Sequence, residues 1–187
     1  MEEELVVSIA EPLEPFAALV ALAQSSMKHA HGLPAQIDIK PHWSGVGFTL
    51  AGHRFVAPMA EVAEIFSVPN STRLPGVKPW VRGVSNVRGR LLPLLDLEAF
   101  FGGALTGSRK QQRVLALEFG DLYSGLIVSE MHGMQHFPVD SFHTDIAAEL
   151  APMRPFIAGA YRQNERDWAV FSPFKLARDE RFFNAAA

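Results

Sequence analysis

A chain of 187 residues with 48% hydrophobic and 20% charged side chains has the balance of a folded globular protein, and its length suits one domain or two small subdomains sharing a core. The formal net charge of −3 supplies no global field that would draw in nucleic acid or an anionic membrane. The absence of cysteine excludes disulfides, thiol catalysis and Cys-ligated zinc, and it suits a reducing, cytoplasmic setting.

The chain opens on Glu2, Glu3 and Glu4, where a secretory signal needs a basic start. The first long apolar stretch, residues 16–23, is far short of the about 20 residues a membrane span requires. Neither a targeting segment nor direct membrane insertion is expected. Pro12 suits the first turn of a helix. Leu13, Phe16, Val20, Ala23 and Met27 then recur at spacings of three and four, with Leu19 and Leu22 alongside, which is helical periodicity. Gly32 and Pro34 close it. Residues 1–40 are therefore predicted to form a helical extension of about four turns and a linker, with residues 41–187 as the main domain. The apolar stripe fits either a cap on that domain or a face that binds a partner.

From Gly45 onward the pattern changes to strands. Val46, Phe48 and Leu50 alternate with small residues, residues 51–53 turn the chain, and Phe55 and Val56 return, giving a hairpin. Residues 62–68 are a third apolar run, and residues 69–76 a loop marked by Pro69, Asn70, Pro75 and Gly76. Residues 80–97 read as two apolar strands around a tight turn carrying Asn86, Arg88 and Gly89. A fixed positive charge on a rigid hairpin tip points to recognition. Residues 97–101 suggest a helical turn stopped by Gly102 and Gly103. A second set of strands follows a polar break at 106–112: residues 114–119 and 122–131 around Gly120-Asp121, then a loop-like stretch over 136–155 with three prolines. The last hairpin, residues 156–162 and 168–171, turns at Asn164-Glu165, and a short helix is predicted over 173–183. Each half begins and ends with a hairpin, which suggests closed, barrel-like β units rather than an open sheet.

Chemistry-bearing patterns are sparse. Residues 83–87 resemble a nucleophile elbow around Ser85, but Val87 replaces the final glycine and the setting is a hairpin, not a strand-to-helix turn. There is no P-loop and no His-Glu-x-x-His. His132 and His136 on one strand would lie about 13 Å apart, too far to share a metal ion. His29 and His31 near a helix end are most simply solvated. Arg82, Arg88 and Arg90 cluster near Trp80 in the manner of a nucleic-acid groove, yet no aromatic ladder interleaves with them and the chain is slightly acidic. Asp96 has the character of a helix N-cap. Val62 and Ile65 fit either a barrel core or anchors for a partner helix. Arg88 can clamp a partner's carboxylate or carbonyls, or pair with Glu64 within the fold.

The string at residues 81–89, V-x-G-x-x-N-x-R-G, followed by P-x-x-D-L at residues 93–97, resembles the CheW family of chemotaxis coupling proteins. Residues 46–56, 62–65, 74–75 and 125–131 match further pieces in order, so the resemblance spans residues 45–180. It implies a mainly β fold of two five-stranded SH3-like barrels side by side with no enzymatic activity, and beside it the residues themselves point to no metal, cofactor or nucleic-acid partner. It implies an adaptor bridging a CheA-type histidine kinase and the cytoplasmic tip of a methyl-accepting chemoreceptor, the receptor hairpin lying in a groove between the barrels. By position in the motif, Val62, Glu64, Ile65, Gly83 and Arg88 would be receptor-side or coupling residues, and Asn86 and Gly89 would hold the loop that presents Arg88. The 40-residue extension is unlike chemotaxis members, which start close to their first strand. It looks more like the CheW-like adaptors of type IV pilus twitching motility, with a flagellar or other chemotaxis-like array as the alternative.

Overall fold

A computed structural model describes residues 14–29 and 41–186. Contacts divide the chain into two units, Met1–Ile39 and Lys40–Ala187. In the first, α1 spans Pro15–His29, with Pro15 at its first turn and Lys28 and His29 in its last, where positive charge suits the helix dipole. Its apolar stripe leaves Phe16, Leu19, Leu22 and Met27 exposed. The predicted start at Pro12 and Leu13 and the stop at Gly32 and Pro34 lie outside the described residues.

The second unit holds eleven strands in two sheets. β1 (His42–Leu50) and β2 (His53–Pro58) form the first hairpin. β3 (Glu64–Ser67) follows a 3₁₀ turn at Met59–Glu61. β4 (Val81–Val87) and β5 (Arg90–Asp96) form the second hairpin, β6 (Arg113–Phe119) and β7 (Leu122–Val128) the third. β8 (Glu130–Pro138) and the two-residue β9 (Phe142–His143) precede the last hairpin, β10 (Ile157–Gln163) and β11 (Arg166–Phe171). One sheet runs β8-β1-β2-β11-β10-β9 and the other β3-β6-β7-β5-β4.

The two sheets share one plan. In each, two antiparallel hairpins are joined by a parallel pair between their second strands, β2 with β11 and β5 with β7. The likeness of the two halves is therefore real, but the halves are interleaved. The opening hairpin of each half sits in a sheet with the closing hairpin of the other.

Both sheets curl on themselves. Phe66, Val87, Leu92, Leu94, Val114 and Ile127 come from all five strands of the second sheet and pack into one cluster, as a barrel interior does. In the first, Val56, Phe137, Tyr161, Trp168 and Val170 do the same with Trp43 against them. There the Gln163 side chain on β10 donates to the His136 carbonyl on β8, 3.0 Å away, although β8 lies at the far end of the strand order. The largest cluster joins the sheets: Phe48, Leu50, Phe55 and Phe171 from one, Leu95, Leu115, Leu117 and Leu126 from the other. The three phenylalanine rings lie within 5.7–6.1 Å of one another, an arrangement worth about 0.5–1.5 kcal/mol per pair beyond area burial.

Three stretches depart from the sequence reading. The strand predicted over 122–131 is two strands in different sheets, because Ser129 ties the chain down between them. Its hydroxyl donates to the buried Glu98 carboxylate at 2.5 Å and accepts from the Thr106 amide at 3.1 Å. The loop predicted from 136 contains the end of β8, then β9, then a 3₁₀ segment at Ala148–Phe156 that tolerates Pro152 and Pro155. The single C-terminal helix is two, α3 (Pro173–Leu176) and α4 (Glu180–Phe183), capped separately by Ser172 and Asp179. The short helix after β5, α2 (Leu97–Phe100), has the predicted cap: the Asp96 carboxylate accepts from the Ala99 amide at 2.9 Å.

Candidate interaction surface

The β4–β5 connection is a two-residue turn with Val87 paired to Arg90. Arg88 and Gly89 have φ of 52° and 82°, so the turn is of the primed type whose twist matches a hairpin. Gly89 tolerates that region freely. Arg88 adopts it less readily, as do Ala51, Asn164 and Glu165 in the other hairpin turns, because a primed turn requires it at both central positions. Asn86 braces the turn: its side-chain oxygen accepts from the Gly89 amide at 2.9 Å. The Arg88 side chain is 78% exposed, and its guanidinium pairs with Glu64 at 2.5 Å. Glu64 lies on β3, the opposite end of the strand order from β4. The pair therefore spans the seam where the sheet closes.

β3 inverts the usual alternation of an exposed edge. Glu64 and Phe66 are half-buried, while Ile65 faces outward at 40% exposure. Val62 ends the 3₁₀ turn and packs against the shared core. Val62 is thus a packing residue, whereas Ile65 offers an apolar anchor beside the Glu64–Arg88 pair. Leu91, one residue past the turn pair, is 70% exposed. It escaped the sequence reading, although Leu92 and Leu94 facing inward already imply that Leu91 faces out.

Gly83 is further down β4, away from the tip. Residues 70–73 run alongside it as a strap: the Thr72 amide donates to the Val84 carbonyl at 2.8 Å, the Val84 amide to the Thr72 carbonyl at 2.9 Å, and the Ser85 hydroxyl to the Asn70 carbonyl at 2.8 Å. A Cβ on Gly83 would collide with the Thr72 carbonyl, whose carbon would lie 2.8 Å away, and φ here is +133°. Ser85 is buried mid-strand with its hydroxyl used by the strap, so it forms no nucleophile elbow.

The arginines that suggested a nucleic-acid groove are each matched to a carboxylate. Arg82 sits 3.6 Å from Asp96, Arg88 pairs with Glu64, and Arg90 lies 3.0 Å from Glu118 and over the Tyr123 ring. Burial holds the Asp96 carboxyl above its ordinary range, against the pull of the Ala99 amide and Arg82. Trp80 is buried against Phe100 and Phe182, not displayed for stacking. His132 and His136 each engage a hydroxyl, Thr49 and Ser44, at 2.7 Å. Among the described residues, no three His, Asp or Glu side chains are grouped to hold a metal ion.

Residues 44–181 match the CheW-like domain. The chain belongs to the CheW-like family. The chain is 50% identical over 172 residues to Protein PilI of Pseudomonas aeruginosa, covering 92% of this chain and 96% of that one. It is 28% identical to Chemotaxis protein CheW of Helicobacter pylori over 86 residues, or 46% of this chain and 52% of that one. The fold of the scaffolding protein TtCheW from Thermoanaerobacter tengcongensis superposes with a TM-score of 0.59 at 21% identity, covering 70% of this chain and 89% of that one. This is a CheW-like chain, mainly β, with two curled sheets, and among its described residues no helix is long and apolar enough to cross a membrane. One sheet has five strands and the other six, the additional one being the two-residue β9.

Proposed function

We propose that this CheW-like chain is a non-enzymatic cytoplasmic adaptor that couples a CheA-type histidine kinase to the cytoplasmic tip of a methyl-accepting chemoreceptor, in an array controlling type IV pilus twitching motility. The observation that carries the reading is the rigid β4–β5 tip. It holds an exposed guanidinium in a backbone region where arginine is disfavoured, beside an outward Ile65. That pairing of one fixed charge with an apolar anchor suits the side of a helical hairpin. The identity to Protein PilI over nearly the whole chain supports the pilus assignment. The weaker, shorter matches to chemotaxis proteins keep a flagellar or other chemotaxis-like array as the second reading.

In this mechanism Val62, Gly83, Asn86 and Gly89 set the geometry, while Glu64, Ile65 and Arg88 make the contact. Coupling requires contacts that differ between the receptor's signalling states, since equal adhesion to both shifts nothing. The test is a titration of the protein with a CheA-type regulatory domain and with a receptor cytoplasmic hairpin, wild type against Arg88→Asn. Asparagine suits the left-handed turn position, so this variant removes the charge without disturbing the hairpin. Saturable binding to both partners, with the variant at least about tenfold weaker for the receptor, is expected. Equal receptor binding by the variant would remove Arg88 from the interface, and no binding of either partner would overturn the adaptor reading.

A further inference from the structure

A second concave surface lies where three segments converge at the five-stranded sheet. Arg73 comes from the strap, Arg82 from β4 and Arg109 from the loop before β6, and together with Asn70, Ser71 and Gln112 they line a cleft of ≈ 550 Å³. Its only apolar lining is Val68 and Ile127, and none of its lining residues is acidic. This stands out in a chain whose net charge is −3.

Elsewhere on the surface, Arg88, Arg90, Arg162 and Arg181 each sit on a carboxylate. In the cleft Arg82 is paired with Asp96, while Arg73 and Arg109 have no carboxylate partner among the described residues. Among the described residues Arg73 has no hydrogen-bond or ion-pair partner. Arg109 reaches only the Pro69 carbonyl, at a long 3.5 Å. Arg82 lies 3.6 Å from the Asp96 carboxylate. Three guanidinium charges gathered in one concavity, two of them without a carboxylate, focus positive potential there.

The arrangement is also held in place. The strap that carries Arg73 is fixed to β4 by two backbone hydrogen bonds at Thr72 and a third from Ser85 to Asn70. The loop that carries Arg109 is braced by Gln111, whose side-chain oxygen accepts from the Ser108 amide at 3.1 Å and hydroxyl at 2.9 Å.

We infer that this cleft binds a small, multiply charged phosphate compound, a di- or triphosphate group held by Arg73, Arg82 and Arg109. Guanidinium forks match phosphate oxygens in pairs, and Asn70, Ser71 and Gln112 add neutral donors around them. A single carboxylate would occupy one fork and leave two unpaired. The scarcity of apolar lining gives a peptide's side chains little to bury.

The inference is tested by calorimetric titration of the full chain at low salt with three probes: inorganic triphosphate, a nucleoside triphosphate, and a glutamate-rich peptide of equal charge. Variants are Arg73→Gln/Arg109→Gln and, as a control on the far sheet, Arg162→Gln. The expected result is one saturable site for triphosphate, at least about tenfold weaker in the double variant and unchanged in the control. Tighter binding of the nucleoside form would identify the ligand as a nucleotide, and equal binding would identify the phosphate group alone. Backbone amide shifts confined to residues 70–73, Arg82 and its neighbours on β4, and residues 109–112 of the wild-type protein would locate the site without any substitution. Absence of saturable triphosphate binding, equal binding by the double variant, or a preference for the acidic peptide would overturn the inference.

Discussion

At Gly83 the strap and β4 approach so closely that only a hydrogen fits between them. The resemblance offered Gly83 as a receptor-side or coupling position, and the structure sets the Thr72 carbonyl against it. Gly83→Ala must both strain a positive φ and displace a backbone segment, so it is expected to cost about 2–5 kcal/mol. Denaturant melts check this. A loss below about 0.5 kcal/mol would mean the strap gives way easily. The Glu64–Arg88 pair is a different kind of residue. It is exposed, and such pairs contribute about 0–1 kcal/mol. Its presence therefore says little about stability and more about what the tip displays. The motif residues were legible because turn chemistry is local: Asn86 and Gly89 do what their types predict at those positions. The pairing of Arg88 with Glu64 could only be offered as one of two possibilities, because it depends on the curl that brings β3 to the β4–β5 tip.

At the level of elements, the four hairpins were readable because each joins alternating or continuous apolar runs through a Gly or Asn turn. β8 was not. Its exposure pattern follows no period, with Met131, Met134 and Phe137 interspersed among His132, Gly133, Gln135 and His136. Its register against β1 shifts at Gly47/Phe48, opposite the bend at Gly133. A strand whose burial is set by a bulge and by tertiary partners leaves no clean signal in the chain. β8 also carries a pH-sensitive contact. Burial holds His132 below its ordinary value, against the pull of Glu130 and with the help of Arg54, while its Nε2 meets the Thr49 hydroxyl. The folded protein thus prefers the neutral ring. As pH falls, the unfolded chain takes up this proton first. The contribution is complete above the ordinary value of about 6.5 and is lost as pH falls through the lower, folded value. Wild type is expected to lose more melting temperature between about pH 8 and about pH 5.5 than His132→Gln does. Identical losses would show that the remaining histidines account for the whole effect.

For the molecule as a whole, interleaving dominates. The sequence showed two similar halves, but a linear reading has no access to which hairpin pairs with which. Because each sheet borrows a hairpin from the other half, and because the largest core cluster draws on both sheets, residues 41–187 should unfold in one cooperative transition. Residues 41–105 or 106–187 expressed separately should show no cooperative melt. A sharp transition from either fragment would mean the exchange of hairpins is not what stabilises the fold. We propose that a chain starting at residue 41, which holds every member of the three clusters described among residues 41–186, keeps the melting temperature of the full protein, with a marked drop in the truncated form as the contrary result. On the proposed adaptor reading, function at this scale is geometric: the protein transmits a receptor's conformation only if both partners grip it at once. The most direct measurement is kinase output in a reconstituted mixture of CheA-type kinase, receptor fragment and this protein. Receptor control of phosphorylation is expected only when the protein is present, and it is expected to be lost with Arg88→Asn while the variant remains folded. Receptor control that is the same without the protein, or undiminished in the variant, would contradict the adaptor reading.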